Sequence, residues 1–315
     1  MHYNTLKNKT IQKTINRFFY FTIIAVVVWF LVKNFGEIIQ YDFQINWYCL
    51  AFAIFSLLCS YLLMAFLWTK VAKSFALDAP YILANKAWFL GQLGKYLPGK
   101  VALLLVRIDC YRNFSKRKVS TATGVEYIVT LAASALFMFF AISLSGYSLP
   151  NSIRFTALGA SMLSLLFLWP PLFIRFINIV SRIFGKDEIR EYPPYRKLLG
   201  FICLYMIVYG VQGIGVFSVF YSLAPIDLSC FLLLTGTYEG ASLIGTAALF
   251  APGGLGVRES LLFIVLPSFL PKEIVIVAVL LIRLITICLE FFLAAAFVFV
   301  EKKYLKWYSC QSDCS

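Results

Sequence analysis

Apolar runs of or near membrane-spanning length recur along this chain, and short segments rich in Lys and Arg separate them. The runs are Phe18–Val32, Asn46–Trp68, Gly124–Leu144, Phe155–Ile174, Leu198–Leu223 and Ile274–Val300. A helix crossing a hydrocarbon layer of about 30 Å needs roughly 20 predominantly apolar residues. The 315 residues are 61% hydrophobic and 14% charged, whereas soluble domains are about 45–50% apolar and about 25% charged. The expectation is an all-α polytopic membrane protein, one integral membrane domain over residues 1–315, with no stretch left for a separate soluble domain.

The net charge of +13 invites a nucleic-acid reading, but the distribution of that charge argues against one. Of the 28 Lys and Arg, most lie in short loops beside apolar runs. That is how orientation and contact with anionic lipid are encoded. Lys7, Lys9, Lys13 and Arg17 precede the first run, which is long for a signal peptide and lacks a small-residue cleavage pattern. An uncleaved first span with a cytoplasmic N-terminus follows. With both termini inside, only Lys33, Arg154 and Lys272 fall in outer segments.

Two regions do not fit simple crossings. Tyr81–Leu105 is interrupted by Gly94-Lys95-Tyr96-Leu97-Pro98-Gly99-Lys100 and leads into a strongly basic loop containing Arg112, Lys116, Arg117 and Lys118. A single crossing would put that loop outside. The second arm, Lys100 to Tyr111, reaches only about 18 Å at 1.5 Å per residue, so a re-entrant hairpin fits better. Leu228–Leu266 is the second such region, broken at Ala251-Pro252-Gly253-Gly254-Leu255-Gly256-Val257-Arg258-Glu259. Its first arm, Ser229–Ala251, is long enough to cross fully.

The order is then span, span, hairpin, span, and the same again with opposite orientation: repeat one over 18–146, repeat two over 155–300. Six spanning helices plus two re-entrant helical hairpins in an inverted repeat is a transporter architecture, with the breaks meeting near the midplane. The hinge positions are Pro98, Gly99, Pro252, Gly253, Gly254 and Gly256. A broken helix in lipid survives only where protein or a wet cavity pairs its backbone groups. The alternative for the second stretch is a short polar loop outside the membrane, with Arg258 and Glu259 solvated.

Charged residues at membrane depth are costly and commonly mark a pathway. Lys95, Lys100, Arg258 and Arg283 would bring positive charge to the hairpin tips. Glu126, Glu239, Glu259 and Glu290 are the available counter-charges. Arg283 and Glu290 share a helix face, as a structural ion pair or as part of the pathway. Lys100 and Arg258, with free N–H groups of the helix starts beside them, would form one anionic pocket for a phosphate. Lys95 and Arg107 would sit nearer the cytoplasmic mouth. Glu259 would hold Arg258 in place or favour a cationic part of a headgroup. Gly236 and Gly240 make a small-xxx-small step suited to close helix packing.

Enzyme patterns are sparse. The single histidine is His2, and there is no nucleophile–base arrangement. Most of the eight cysteines stand singly in apolar runs, and Cys310 and Cys314 lack any accompanying zinc pattern. No cofactor and no metal are expected.

The stretch Gly94–Lys100 with Arg107, and Pro252–Glu259, resemble the two signature stretches of the transmembrane flippase-like domain of the lysylphosphatidylglycerol synthase/flippase proteins and their stand-alone relatives. The resemblance covers nearly the whole chain. It implies a bacterial or archaeal plasma-membrane protein that moves a lipid between leaflets. In bifunctional members an aminoacyl-transferring soluble domain follows the last span. Here the last residue is Ser315, so lipid aminoacylation is not expected. The implied substrate is a phosphate-bearing lipid, either an aminoacyl-phospholipid or a polyprenyl-linked glycolipid. Implied partners are that lipid, a second copy of the chain, or envelope-synthesis enzymes. The competing classes are a membrane transferase with a polyprenyl-phosphate donor and a non-catalytic partner subunit in envelope glycan synthesis.

Overall fold

A computed structural model describes residues 43, 45–96, 101–146, 193–248 and 251–312, with isolated positions at 155, 158, 159, 162, 166 and 175. All regular structure among these residues is helical. The helices are α1 (Trp47–Lys73), α2 (Tyr81–Gly94), α3 (Val101–Cys110), α4 (Lys116–Leu144), α5 (Tyr195–Leu223), α6 (Phe231–Ala247), α7 (Val257–Val265) and α8 (Lys272–Ser312). The first expected span, most of the fourth, and Pro98, Gly99 and Lys100 lie outside the described residues.

Five helices are long and apolar enough to cross a membrane: α1, α4, α5, α8 over Lys272–Lys303, and Leu228–Ala247, which adds one short turn to α6. Four coincide with expected spans, and the fifth is the first arm of the second hairpin. Two expected boundaries shift most. The third span was placed from Gly124, but its helix starts at Lys116, so Lys116, Arg117 and Lys118 form its first turn. The last span was ended at Val300, but α8 continues through Glu301, Lys302 and Lys303. Hydropathy locates where a helix leaves lipid, whereas only a breaker ends the helix itself, and no Gly or Pro occurs between Lys272 and Ser312.

Side-chain contacts give the relative directions. Asn46 N–H donates to Ser222 O at 2.8 Å and Ser56 Oγ to Val211 O at 2.7 Å, so α1 and α5 run antiparallel. The Tyr205 hydroxyl reaches Glu126 and the Tyr209 hydroxyl reaches Thr130 O, so α4 and α5 run parallel. Ser134 meets Glu239 and Tyr127 meets Thr246, which makes α4 and α6 antiparallel. Lys86 pairs with Glu301 at 2.6 Å and Phe89 stacks on Phe297 at 5.2 Å, which makes α2 and α8 antiparallel.

The two short helices α2 and α3 are closely packed. α2 has 14 residues and α3 has 10, about 21 Å and about 15 Å of helix, each too short to cross. A Cβ on Gly94 would stand 2.7 Å from Leu103 N, so this glycine permits the close approach of the arms. Gly236 and Gly240 face α4, the first against Ala141 and Ile142 and the second against the flexible Met138 side chain. A Cβ there would stand 3.0 Å from the Ala141 side chain and 2.4 Å from Met138 Sδ. Small residues drive packing where lipid offers no hydrophobic incentive to associate. Large apolar side chains such as Phe52, Phe55, Phe292 and Phe299 remain exposed, a surface suited to lipid rather than water.

Candidate functional site

The second break explains its glycines directly. Gly253, Gly254 and Gly256 have φ of +60°, +69° and +82°, a region that side chains with a Cβ rarely adopt. This lets the chain reverse between α6 and α7 within a few residues. The reversal presses against the first hairpin: Gly253 N–H donates to Lys95 O at 2.8 Å, and Arg283 Nη2 donates to Gly253 O at 3.2 Å. The two tips therefore touch.

Free N–H groups are expected at this break, and three of its amides prove to be paired within the protein. The amide of Gly253 is taken by Lys95, that of Gly254 by Ala251 O, and that of Gly256 by Glu259 Oε2 at 2.8 Å. A buried break leaves amides unpaired only at a cost of about 1–3 kcal/mol each, so the protein fills them itself. Glu259 is thereby spent on capping α7 and lies 3.7 Å from Arg283 Nε. It does not hold Arg258, as had been expected.

Around the tips the charges sort into pairs. Buried Glu290 accepts from Lys95 Nζ at 2.5 Å, Tyr96 OH at 2.9 Å and Tyr61 OH at 2.7 Å. Its seven-residue neighbour Arg283 lies by Glu259 instead, so of the two readings for Arg283 and Glu290 the mutual ion pair is not formed. Arg107, placed near an open mouth by its sequence position, is 1% exposed. It pairs with Glu126 and stacks on Trp68, its guanidinium carbon 4.1 Å from the ring centre. Glu126 also accepts from Trp88 Nε1 at 2.8 Å. Arg107 thereby ties α3 to α4, and it also lines the central cavity.

Arg258 is different. Its guanidinium lies 4.0 Å over the Tyr238 ring, and no carboxylate pairs with it among the described residues. It faces a cavity of about 580 Å³ between α1, the two hairpins, α4, α5 and α8, to which Lys95, Arg107, Arg283, Glu126 and Glu239 also contribute. Six of the nine charged residues singled out from sequence thus line one space. Glu259 and Glu290 stand behind it as partners of its cations, and Lys100 lies outside the described residues.

The family described as Lysylphosphatidylglycerol synthase TM region matches residues 18–294. The chain belongs to that family. Comparison with curated proteins and with solved structures finds no match. Family membership and the apolar helices together make this chain of the lysylphosphatidylglycerol synthase TM-region family a multi-pass membrane protein, and its function is connected with membrane lipid. Both signature stretches fall within the matched residues and carry the touching tips.

Several residues of this site were not singled out from sequence. Tyr61, Trp88, Tyr205 and Gln212 line the cavity, but inside an apolar run an aromatic residue reads as core or lipid-facing. The usable signal was the polar end of Tyr and Trp, which needs a partner when buried. Gln212 is a polar residue among apolar and glycine residues of α5, and no local pattern places it at a cavity lined from other helices.

Proposed function

We propose that this protein is a translocase, not an enzyme, which moves a phosphate-bearing lipid between the leaflets of a bacterial or archaeal plasma membrane, with both termini cytoplasmic. The substrate classes are those of the family resemblance, an aminoacyl-phospholipid or a polyprenyl-linked glycolipid. The observation that carries this reading is the cationic side chain of Arg258, without a carboxylate partner, facing a cavity enclosed by two broken-helix tips. An unpaired guanidinium in a low-dielectric space favours a phosphate, which gains two-pronged charge-assisted hydrogen bonds there. Alternating access requires a second arrangement, and in this reading the tips that touch here would part in it.

The test is reconstitution into liposomes with labelled phospholipids and polyprenyl-phosphate lipids, scoring exchange between leaflets. The native protein is expected to accelerate exchange of a phosphate-bearing lipid. Arg258→Gln should abolish it, and Arg258→Lys should retain part, because charge survives without the planar fork. A transferase would instead yield a covalently changed lipid in the same vesicles, and a partner subunit would do neither. Normal exchange by Arg258→Gln would refute the placement of the phosphate.

A further inference from the structure

The charges at the cavity match in number, but not all of them are joined. Lys95 pairs with Glu290, Arg107 with Glu126, and Arg283 lies by Glu259. Arg258 and Glu239 remain, and no ion pair joins them or ties either to another of the described residues. Glu239 on α6 is 1% exposed and lines the cavity. Its Oε1 has no hydrogen-bond partner, and its Oε2 has only Ser134 Oγ, at 3.5 Å. Gln212 Oε1 on α5 is buried and unmet in the same cavity wall. Unmet buried acceptors are rare, and an isolated buried carboxylate is costly. A proton removes that charge and turns one of these acceptors into a donor.

The elements around α6 bring Glu239 no free charge of their own. α6 packs against α4, α5, α7 and the short turns Leu228–Cys230 and Pro252–Gly254. On α4, Glu126 is held by Arg107, and the Tyr127 hydroxyl donates to Thr246 O at 3.0 Å. On α5, the Tyr205 hydroxyl donates to Glu126 and the Tyr209 hydroxyl to Thr130 O at 3.1 Å. α7 brings Arg258, which lies over the ring of Tyr238, the neighbour of Glu239 on its own helix. Asp227 and Cys230 stand nine or more residues back along the chain, about 14 Å or further along a helix. The Pro252–Gly254 turn carries no ionisable side chain.

We infer that Glu239 is a proton-binding site, and that each phosphate-bearing lipid crosses together with one proton carried on this carboxyl. This rests on the translocase reading above and supplies its source of energy. In the empty cavity an ionised Glu239 offsets Arg258. With a phosphodiester at Arg258 the phosphate does so, and an ionised Glu239 becomes an uncompensated buried charge. A proton without lipid leaves Arg258 uncompensated instead. Net charge at membrane depth is costly, so the site changes sides with both ligands or with neither. The proton enters from water on one side, forms an O–H bond on Glu239, and returns to water on the other. No net bond is made, and no net charge moves with the lipid.

The test uses the full chain in phosphatidylcholine liposomes with a pH step of one unit across the membrane. The probes are small amounts of acyl-labelled phosphatidylglycerol and of a labelled polyprenyl phosphate-linked sugar, each with one phosphodiester charge and each mixed with its unlabelled form. An impermeant quencher reports the label in the outer leaflet, and protein-free vesicles set the background. Coupling of one proton to one lipid makes the leaflet ratio mirror the proton ratio. A transported probe should therefore become about tenfold enriched in the leaflet facing the alkaline side, and collapsing the step with nigericin should return the ratio to one. Glu239→Gln is neutral at every pH, so its loaded form still crosses. It should swap labelled for unlabelled lipid between leaflets yet show no enrichment. Fast exchange by the native protein with equal leaflets overturns the coupling, leaves the translocase reading intact and needs no variant. Enrichment that persists in Glu239→Gln places the proton elsewhere and overturns the assignment. Exchange of neither probe by the native protein refutes the translocase reading and the coupling with it. Arg258→Gln tests the phosphate placement separately, since it should abolish exchange with or without the pH step.

Discussion

Lys95 and Arg258 are both cations beside a helix break, but their neighbours assign them different work. Lys95 is held by Glu290, which also receives the hydroxyls of Tyr61 and Tyr96. Removing the charge of Glu290 leaves a half-buried ammonium without its partner, and breaking such a pair from one side costs about 3 kcal/mol. Glu290→Gln should therefore lower the thermal unfolding temperature in detergent, and adding Lys95→Met should recover part of the loss. A double-mutant cycle with no coupling between the two would contradict the pair. Arg258 has only the Tyr238 ring, a contact of about 1 kcal/mol, so Arg258→Gln should hardly change stability while abolishing exchange. This contrast was only half legible in the sequence. Each charge could be recognised because it stood in an apolar run. The partners could not, since Lys95 and Glu290 lie 195 positions apart and several carboxylates were equally eligible. Glu259 shows why proximity in sequence misleads: a residue three places into a helix serves its own cap before it serves its neighbour.

At the level of helices, the breaks were the most readable feature, because Pro and Gly act locally and their effect does not depend on the rest of the fold. The second break falls at the marked glycines, all three in left-handed conformations. The hidden part was how closely the arms lie. That is a matter of which glycine faces which backbone, and Gly94 carries it on the first hairpin. Gly94→Ala places a Cβ 2.7 Å from Leu103 N and 2.8 Å from Leu103 Cα. Backbone cannot step aside as a flexible side chain can, so α3 must move off α2, a change of about 1–3 kcal/mol. Gly240→Ala meets only the end of the Met138 side chain and should be tolerated. Gly124→Ala meets nothing within 4 Å and should be neutral or slightly stabilising, since alanine favours a helix over glycine. Unfolding temperatures of the three variants should rank in that order, with Gly94→Ala lowest. If Gly94→Ala unfolds like the native protein, the arms are not packed as described.

Among the described residues, the helices stand in defined relative directions. α4 and α5 run parallel, so α4 ends at the opposite end of the bundle from the start of α5. α1 opposes α5, and α2 opposes α8. Each of these relations agrees with the arrangement inferred from the Lys and Arg distribution, in which two units of opposite orientation each contribute one broken hairpin. Charge counting bears on the relative directions of the helices because orientation is set by short loops, whereas the contact between Gly253 and Lys95 could not be read from any loop. The arrangement makes a prediction about sidedness. The ends of α1, α3 and α8 that carry Lys73, Arg112 and Lys302 should all face the cytoplasm, together with Ser115 between the first hairpin and α4. Ser145, at the far end of α4, and Asp227, after α5, should face outside. Single cysteines at 115, 145, 227 and 302, in a background with the eight native cysteines replaced, report this directly. An impermeant maleimide added to intact cells should label 145 and 227 and leave 115 and 302 unlabelled until the membrane is opened. Position 115 decides most. If Tyr81–Cys110 crosses the bilayer instead of turning back, the segment between α3 and α4 emerges outside. Labelling of residue 115 in intact cells would then remove the first hairpin, and with it the inverted repeat.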